Sequence, residues 1–218
     1  DYVEALLERG RERAAAERLP VTFQVADAEA LPFADASFDV VLSTFGVMFT
    51  PDHAKAAGEL ARVCRQGGKI GLANWTPDGF IGQLFRIIGR HVPPPAGVRS
   101  PALWGSEERL AELFLGQQIA ARRQTFHMRY RSAQHWLDVF RTYYGPVHKA
   151  FAALDTAGAK SLEQALTSLL GEFNTAGAAF TGIYGGDVLT VTGASGAFAD
   201  KNAGTGETEN ISGITLSG

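Results

Sequence analysis

Cysteine is almost missing from this sequence: Cys64 is the only one among 218 residues. An intramolecular disulfide and a cysteine-built metal site are therefore excluded. Histidine is sparse, and His135 and His148 have no partner at metal-ligand spacing, so no metal site is expected. His53, near a helix start, reads as a surface residue. Long apolar runs are lacking, and nothing approaches the roughly 20 residues of a membrane-spanning helix. Basic clusters are lacking too. With a formal net charge of -3, the chain carries no electrostatic footprint for nucleic acid or an anionic membrane. Its sharpest basic spot, Arg122-Arg123, reads as a solvated strand or loop edge. An initiating Met and a signal peptide are both missing; the chain begins in mid-pattern, and a truncated N-terminus is expected. The length suits one domain with a real core, or one domain and a small module. Nothing in the sequence fixes an oligomeric state.

What is present is organised around residues 21–45, VTFQVADAEALPFADASFDVVLSTF. Val21, Phe23 and Val25 alternate with Thr22 and Gln24, which predicts a strand. Asp27 stands where that strand gives out, as a strand-end turn residue or as a carboxylate facing a ligand. Phe38 and the run Val40-Val41-Leu42 predict a second strand, continuous rather than alternating and so buried on both faces. Two parallel strands with polar ends on one edge match the edge of an open α/β sheet where ligands bind.

Ala26-Asp27-Ala28-Glu29-Ala30-Leu31-Pro32-Phe33, followed by Ser37-Phe38-Asp39-Val40-Val41, resembles class I methyltransferases that use S-adenosylmethionine. The resemblance is to the small-molecule branch typified by ubiquinone/menaquinone C-methyltransferases. It implies an α/β, Rossmann-like fold and methyl transfer from S-adenosylmethionine to a small acceptor. It also implies a cytoplasmic protein. Asp27 then accepts from the adenine amino group, and the Ala28 N–H donates to a ring nitrogen. Ser43 and Phe45 are the further candidates for cofactor contact, with core packing the other role open to Phe45, Val47 and Phe49. No catalytic residue is assigned, because such transfer rests on proximity and alignment. The Gly-rich loop after the family's first strand, and the acidic residue ending its second, have no counterpart. Weak cofactor binding and an inactive fragment are expected.

The remaining chain reads in order. A helix capped by Asp1 runs to Arg18 and ends before Pro20. Thr50 and Pro51 start another, with Ala57, Leu60, Ala61 and Cys64 on its apolar face, so Cys64 reads as a small buried apolar residue. Gly67 suits a left-handed position after it. Residues 69–74 form a buried strand, which sets Asn74 and Trp75 on the ligand edge; Trp75 either lines the acceptor pocket or packs under the next loop. Residues 76–105, within an insertion region extending to 123, read as a lid with an apolar inner surface. Phe80, Leu84, Phe85, Ile87 and Ile88 supply that surface, and Phe80 and Phe85 are candidate acceptor-lining residues. They point to an apolar or aromatic acceptor. Ser106 caps a further helix. Residues 124–130 alternate as an edge strand. Helices over 132–144 and 146–173 follow, with Trp136, Phe140, Tyr143 and Tyr144 as core.

Composition changes near Asn174. The domain boundary is set between 1–174 and a Gly/Thr-rich tail over 175–218. Tyr184-Gly185-Gly186-Asp187 and Phe198-Ala199-Asp200-Lys201-Asn202, followed by Gly204-Thr205-Gly206, resemble the YDG-type repeat of bacterial surface adhesins. That resemblance implies export or a cell surface, and a non-enzymatic adhesin fragment or a chimeric reading frame as the other reading. A disordered Gly/Thr/Ser tail is the remaining alternative. The methyltransferase resemblance implies counterparts of strands three, four, five and six, without one, two or the authentic seventh. Orphaned strand edges are costly. Residues 21–25 are therefore expected to move beside 40–42, or tail residues 188–192 to enter the seventh slot between 69–74 and 124–130. Marginal stability follows.

Overall fold

A computed structural model describes residues 2–174 and, beyond them, the backbone of four strands, Gly185–Thr192, Ala197–Phe198, Glu209–Asn210 and Ile214–Thr215. Asp1, expected as a helix cap, lies outside the described residues, as do the tail residues between and after those strands.

The centre of the molecule is β2 (Cys64–Trp75). Ile70 and Leu72 are buried along it, as its apolar composition requires. β1 (Phe38–Thr44) runs parallel to its upper half, from Val40 opposite Lys69 to Thr44 opposite Ala73. The ladder slips between Phe38 and Val40, where residues 65–68 of β2 loop out. Gly67 takes a φ of 71° there, a left-handed conformation that suits glycine. The strand thus starts at Cys64 rather than at residue 69. Cys64 itself is buried, as expected, and burial pushes its thiol pKa up.

The second neighbour of β2 comes from the tail. β4 (Gly185–Thr192) pairs antiparallel with Leu72 to Trp75 on one side. On its other side it pairs antiparallel with β3 (Ala121–Met128). The sheet order is β1-β2-β4-β3, so the tail strand fills the expected seventh slot. Ile214–Thr215 pairs with β2 beside it, at Lys69 and Ile70. The other repair is not made. Residues 21–25 form no strand; Phe23 lies instead over Gly10 of α1 (Glu4–Ala16). Among the described residues no strand pairs with the outer edge of β1, and the expectation that it is buried on both faces fails: Val40 is 46% and Leu42 59% exposed. Such exposure forgoes about 1 kcal/mol or more of burial for each side chain.

Helices form where caps and apolar periodicity coincide. α2 (His53–Val63) is capped by Asp52, whose side chain accepts from the Lys55 N–H, and not by Thr50 as expected. Ser106 caps α4 (Glu107–Leu113), and Ser132 caps α5 (Ala133–Tyr143). The predicted helix over 146–173 is two, α6 (Gly145–Ala153) and α7 (Thr156–Phe173), because Asp155 breaks out to cap the second. α3 (Phe80–His91) packs with α5, α6 and α7 around Trp136, Leu162, Leu166 and Leu170. Tyr143, expected in this core, is 82% exposed, since its position falls on the outer face. A second core joins β2, α2 and α4 around Trp104, Met48 and Leu60. The short turn Pro101–Gly105 closes it, and Gly105 is required because a Cβ there would meet the carbonyl oxygen of Trp75.

Candidate active site

β1 and β2 end together at Thr44 and Trp75, so both open onto one edge of the sheet. Ser43 Oγ accepts from the Val47 N–H at 3.0 Å and organises the turn Val47–Phe49. Phe45 between them has a φ of 55°. This left-handed conformation costs a residue with a Cβ roughly 1–2 kcal/mol. It persists where the surroundings over-determine it. Here the Phe45 N–H donates to the Ala73 carbonyl at 2.9 Å, and its ring stacks on Trp75 with centroids 4.5 Å apart. Trp75 also meets Phe126 at 6.4 Å. Phe85 reaches the same region through Phe49, edge to face at 5.9 Å. Ser43, Phe45 and Trp75 are thus assembled at one edge, with Phe85 close behind. Phe80 is not among them. It is 1% exposed, wedged edge-on against Trp136 and Phe173. The apolar face of α3 that reads as a lid surface is largely spent on helix packing.

The acidic loop is tied to α2. Asp27 is exposed; its Oδ1 accepts from the Glu29 N–H at 2.9 Å, and its carbonyl accepts from the Ala30 N–H at 3.0 Å. Among the described residues, neither its second carboxylate oxygen nor the Ala28 N–H has a hydrogen-bond partner. An acceptor and a donor therefore stand side by side, which suits the edge of a heterocyclic amine. α2 holds the loop in place. Glu29 Oε1 accepts from the Asp52 N–H at 2.8 Å, and Glu59 Oε2 accepts from the Leu31 N–H at 2.6 Å. Arg62 donates to the carbonyls of Phe33 and Leu31 at 2.7 and 2.9 Å, and pairs with Glu59 and Asp35.

Arg62, with help from the Leu31 N–H, pulls the Glu59 carboxyl from 4.5 down to about 2. A depressed folded-state pKa means that this anchor contributes fully above 4.5 and is lost as pH falls toward about 2. The acid limb of stability should carry this contribution in the native chain and lack it in Glu59→Gln. A urea titration series across that window checks it; identical pH slopes for the two proteins would refute the anchor.

Two buried polar residues depart from expectation. Asn74 is fully buried and donates to the Trp104 carbonyl at 3.1 Å, bracing the edge from within. His53, expected on the surface, is 3% exposed, with its ring 5.5 Å from that of Trp104. Burial first, then the charges of Arg109 and Arg99, lower its pKa. Glu59, Arg62 and His53 were not legible as site-shaping residues, because their partners lie far away in sequence.

Residues 1–72 match a family model described as a methyltransferase domain, and residues 171–218 match the YDG domain. An uncharacterized protein of Mycobacterium tuberculosis is 44% identical over 158 residues, covering 71% of this chain and 58% of the relative. A demethylmenaquinone methyltransferase of Deinococcus radiodurans is 33% identical over 140 residues, covering 61% of this chain and 58% of that one. The chain thus spans about three-fifths of the curated relatives it matches. Among solved structures, a putative methyltransferase from Bacillus halodurans aligns with a TM-score of 0.56 at 16% identity, over 88% of this chain and 80% of that one. The YcgJ protein of Bacillus subtilis aligns at 0.54 and 21% identity, over 88% and 79%. These likenesses establish the methyltransferase-like α/β fold. The stretch matched to the methyltransferase domain holds Asp27, Ala28, Ser43 and Phe45; Trp75 and Phe85 follow it. No helix among the described residues is long and apolar enough to cross a membrane.

Proposed function

We propose that the methyltransferase region takes part in methyl transfer from S-adenosylmethionine to a small, apolar or aromatic acceptor. The observation that carries this reading is the pairing of a free Asp27 carboxylate oxygen with a free Ala28 N–H, on a loop tied to α2 through Asp52, Glu59 and Arg62. That pair fits the amino group and neighbouring ring nitrogen of adenine. The cofactor, when bound, supplies an electrophilic methyl group on a sulfonium. This chain's residues orient and shelter it: Asp27 and Ala28 fix the adenine, Ser43 sets the turn at the edge, and the Phe45–Trp75 stack walls the site with apolar surface that excludes water. Phe85 extends that wall toward the acceptor. Alignment then carries the catalysis without a fixed acid or base.

An acceptor screen tests the acceptor class. The Mycobacterium tuberculosis relative, 44% identical over 158 residues, would be assayed beside this chain for release of S-adenosylhomocysteine. Turnover of quinols and phenols is expected, in line with the demethylmenaquinone methyltransferase relative. Activity confined to sugars or nucleotides would overturn the apolar-acceptor reading.

A further inference from the structure

A second cleft opens beside the start of α2, about 520 Å³ in volume, lined by Asp52, His53, Val98, Arg99 and Arg109 among others. Three of these groups have donors without acceptors. Both ring nitrogens of His53 are unpartnered among the described residues, although the side chain is 97% buried by its 3% exposure. Arg109 gives one terminal nitrogen to Glu112 at 2.7 Å, but its buried Nε has no partner. Arg99 is exposed and enters no ion pair with the described residues. Leaving a buried donor unmet costs about 1–3 kcal/mol, and two such donors, one imidazole N–H of His53 and the Nε–H of Arg109, belong to residues lining this one cleft. The only carboxylate in the lining, Asp52, is engaged in capping α2 through the Lys55 N–H at 3.0 Å. The first turn of the 11-residue α2 adds the positive end of its dipole.

We infer that this cleft binds an oxyanion carried by a small molecule, a carboxylate or a phosphoryl group, with Arg99, Arg109 and His53 as its donors. The chemistry is complementary. Guanidinium groups present forked N–H donors to two oxygens, and a neutral imidazole donates one N–H. Burial first, and then the charges of Arg109 and Arg99, lower the His53 pKa, which favours the neutral ring. Val98 and Ala54 in the lining give an apolar side against which the rest of the molecule can lie. The assignment does not rest on methyl transfer, because none of these residues is among those given to the cofactor.

Calorimetry on the 218-residue chain at low salt, with benzoate and inorganic phosphate titrated separately, tests it. Saturable binding of either is expected, and which one binds distinguishes carboxylate from phosphoryl. His53 ring resonances should shift during the titration. Arg99→Gln, an exposed substitution that leaves the fold intact by circular dichroism, should weaken binding about tenfold or more, as loss of a charge-assisted hydrogen bond predicts. Arg109→Gln should do the same. No saturable binding of either anion, unmoved His53 resonances, or equal affinity in Arg99→Gln would overturn the site.

Discussion

Cutting the chain after Asn174 should abolish cooperative unfolding. β4 is flanked on both sides, paired at Leu72, Ala73, Asn74 and Trp75 of β2 and along the whole of β3 from Ala121 to Met128. Without it, β3 loses its only partner among the described strands, and β2 regains an open edge. Even at about 0.5 kcal/mol per bond, loss of both ladders amounts to several kcal/mol. That is comparable with the roughly 5–15 kcal/mol that holds a whole domain together. A milder version is Val191→Pro, which removes one N–H from the centre of a doubly paired strand. Urea unfolding followed by circular dichroism checks both. The expected order of stability is native, then the proline variant, then the truncated chain, with amide protection over 72–75 and 121–128 falling in the same order. Equal midpoints for the native and truncated chains would show that the tail strand contributes nothing.

This insertion also shows what the sequence made legible. Residues 188–192 carry β-branched character, and an unfilled slot between two strands makes a specific demand; together they foretold β4. The helix start at Ser106 carries local chemistry, whereas the choice between Thr50 and Asp52 depended on which side chain met Lys55, and the break at Asp155 within the expected 146–173 helix was not legible. What depended on neighbours was not legible. Val40-Val41-Leu42 has the same composition whether or not a strand covers it, so its exposure could not be read. Residues 21–25 alternate as a strand should, but alternation creates no partner, and Phe23 settles on α1 instead. At the site, the edge residues Ser43, Phe45 and Trp75 followed from strand ends. Phe80 did not, because periodicity shows an apolar face without showing what fills it, and here the filling is Trp136 and Phe173. The loop anchors Glu59 and Arg62 escaped notice because surface-like charged residues on a helix become structural only when a distant loop folds over them.

Residues 171–218 match the YDG domain, and the second reading drawn from the sequence resemblance makes the tail a non-enzymatic adhesin fragment. The two readings part on cofactor affinity. On the proposed reading Asp27 and Ala28 are the pair that would face adenine, and the sequence shows no Gly-rich strand-to-helix loop for the methionine end and no strand-end carboxylate for the ribose. Two directional hydrogen bonds contribute about 1 kcal/mol each. A micromolar Kd needs about 8.2 kcal/mol. S-adenosylmethionine should therefore bind this chain orders of magnitude more weakly than micromolar. Adenosine should bind as well as S-adenosylmethionine, within a factor of about two, because the donors and acceptors present address the base alone. Asp27→Ala should remove what remains, and it should leave the fold unchanged, since the side chain is exposed and makes a single local bond to Glu29. Competition between the two ligands in saturation-transfer NMR reads these differences in the weak-binding regime. Micromolar affinity in calorimetry would refute the prediction of weak binding. A strong preference for S-adenosylmethionine over adenosine would mean that other residues hold the methionine end. Undiminished adenosine contact in Asp27→Ala would remove Asp27 from the site altogether, and with it the observation on which the methyl-transfer reading stands.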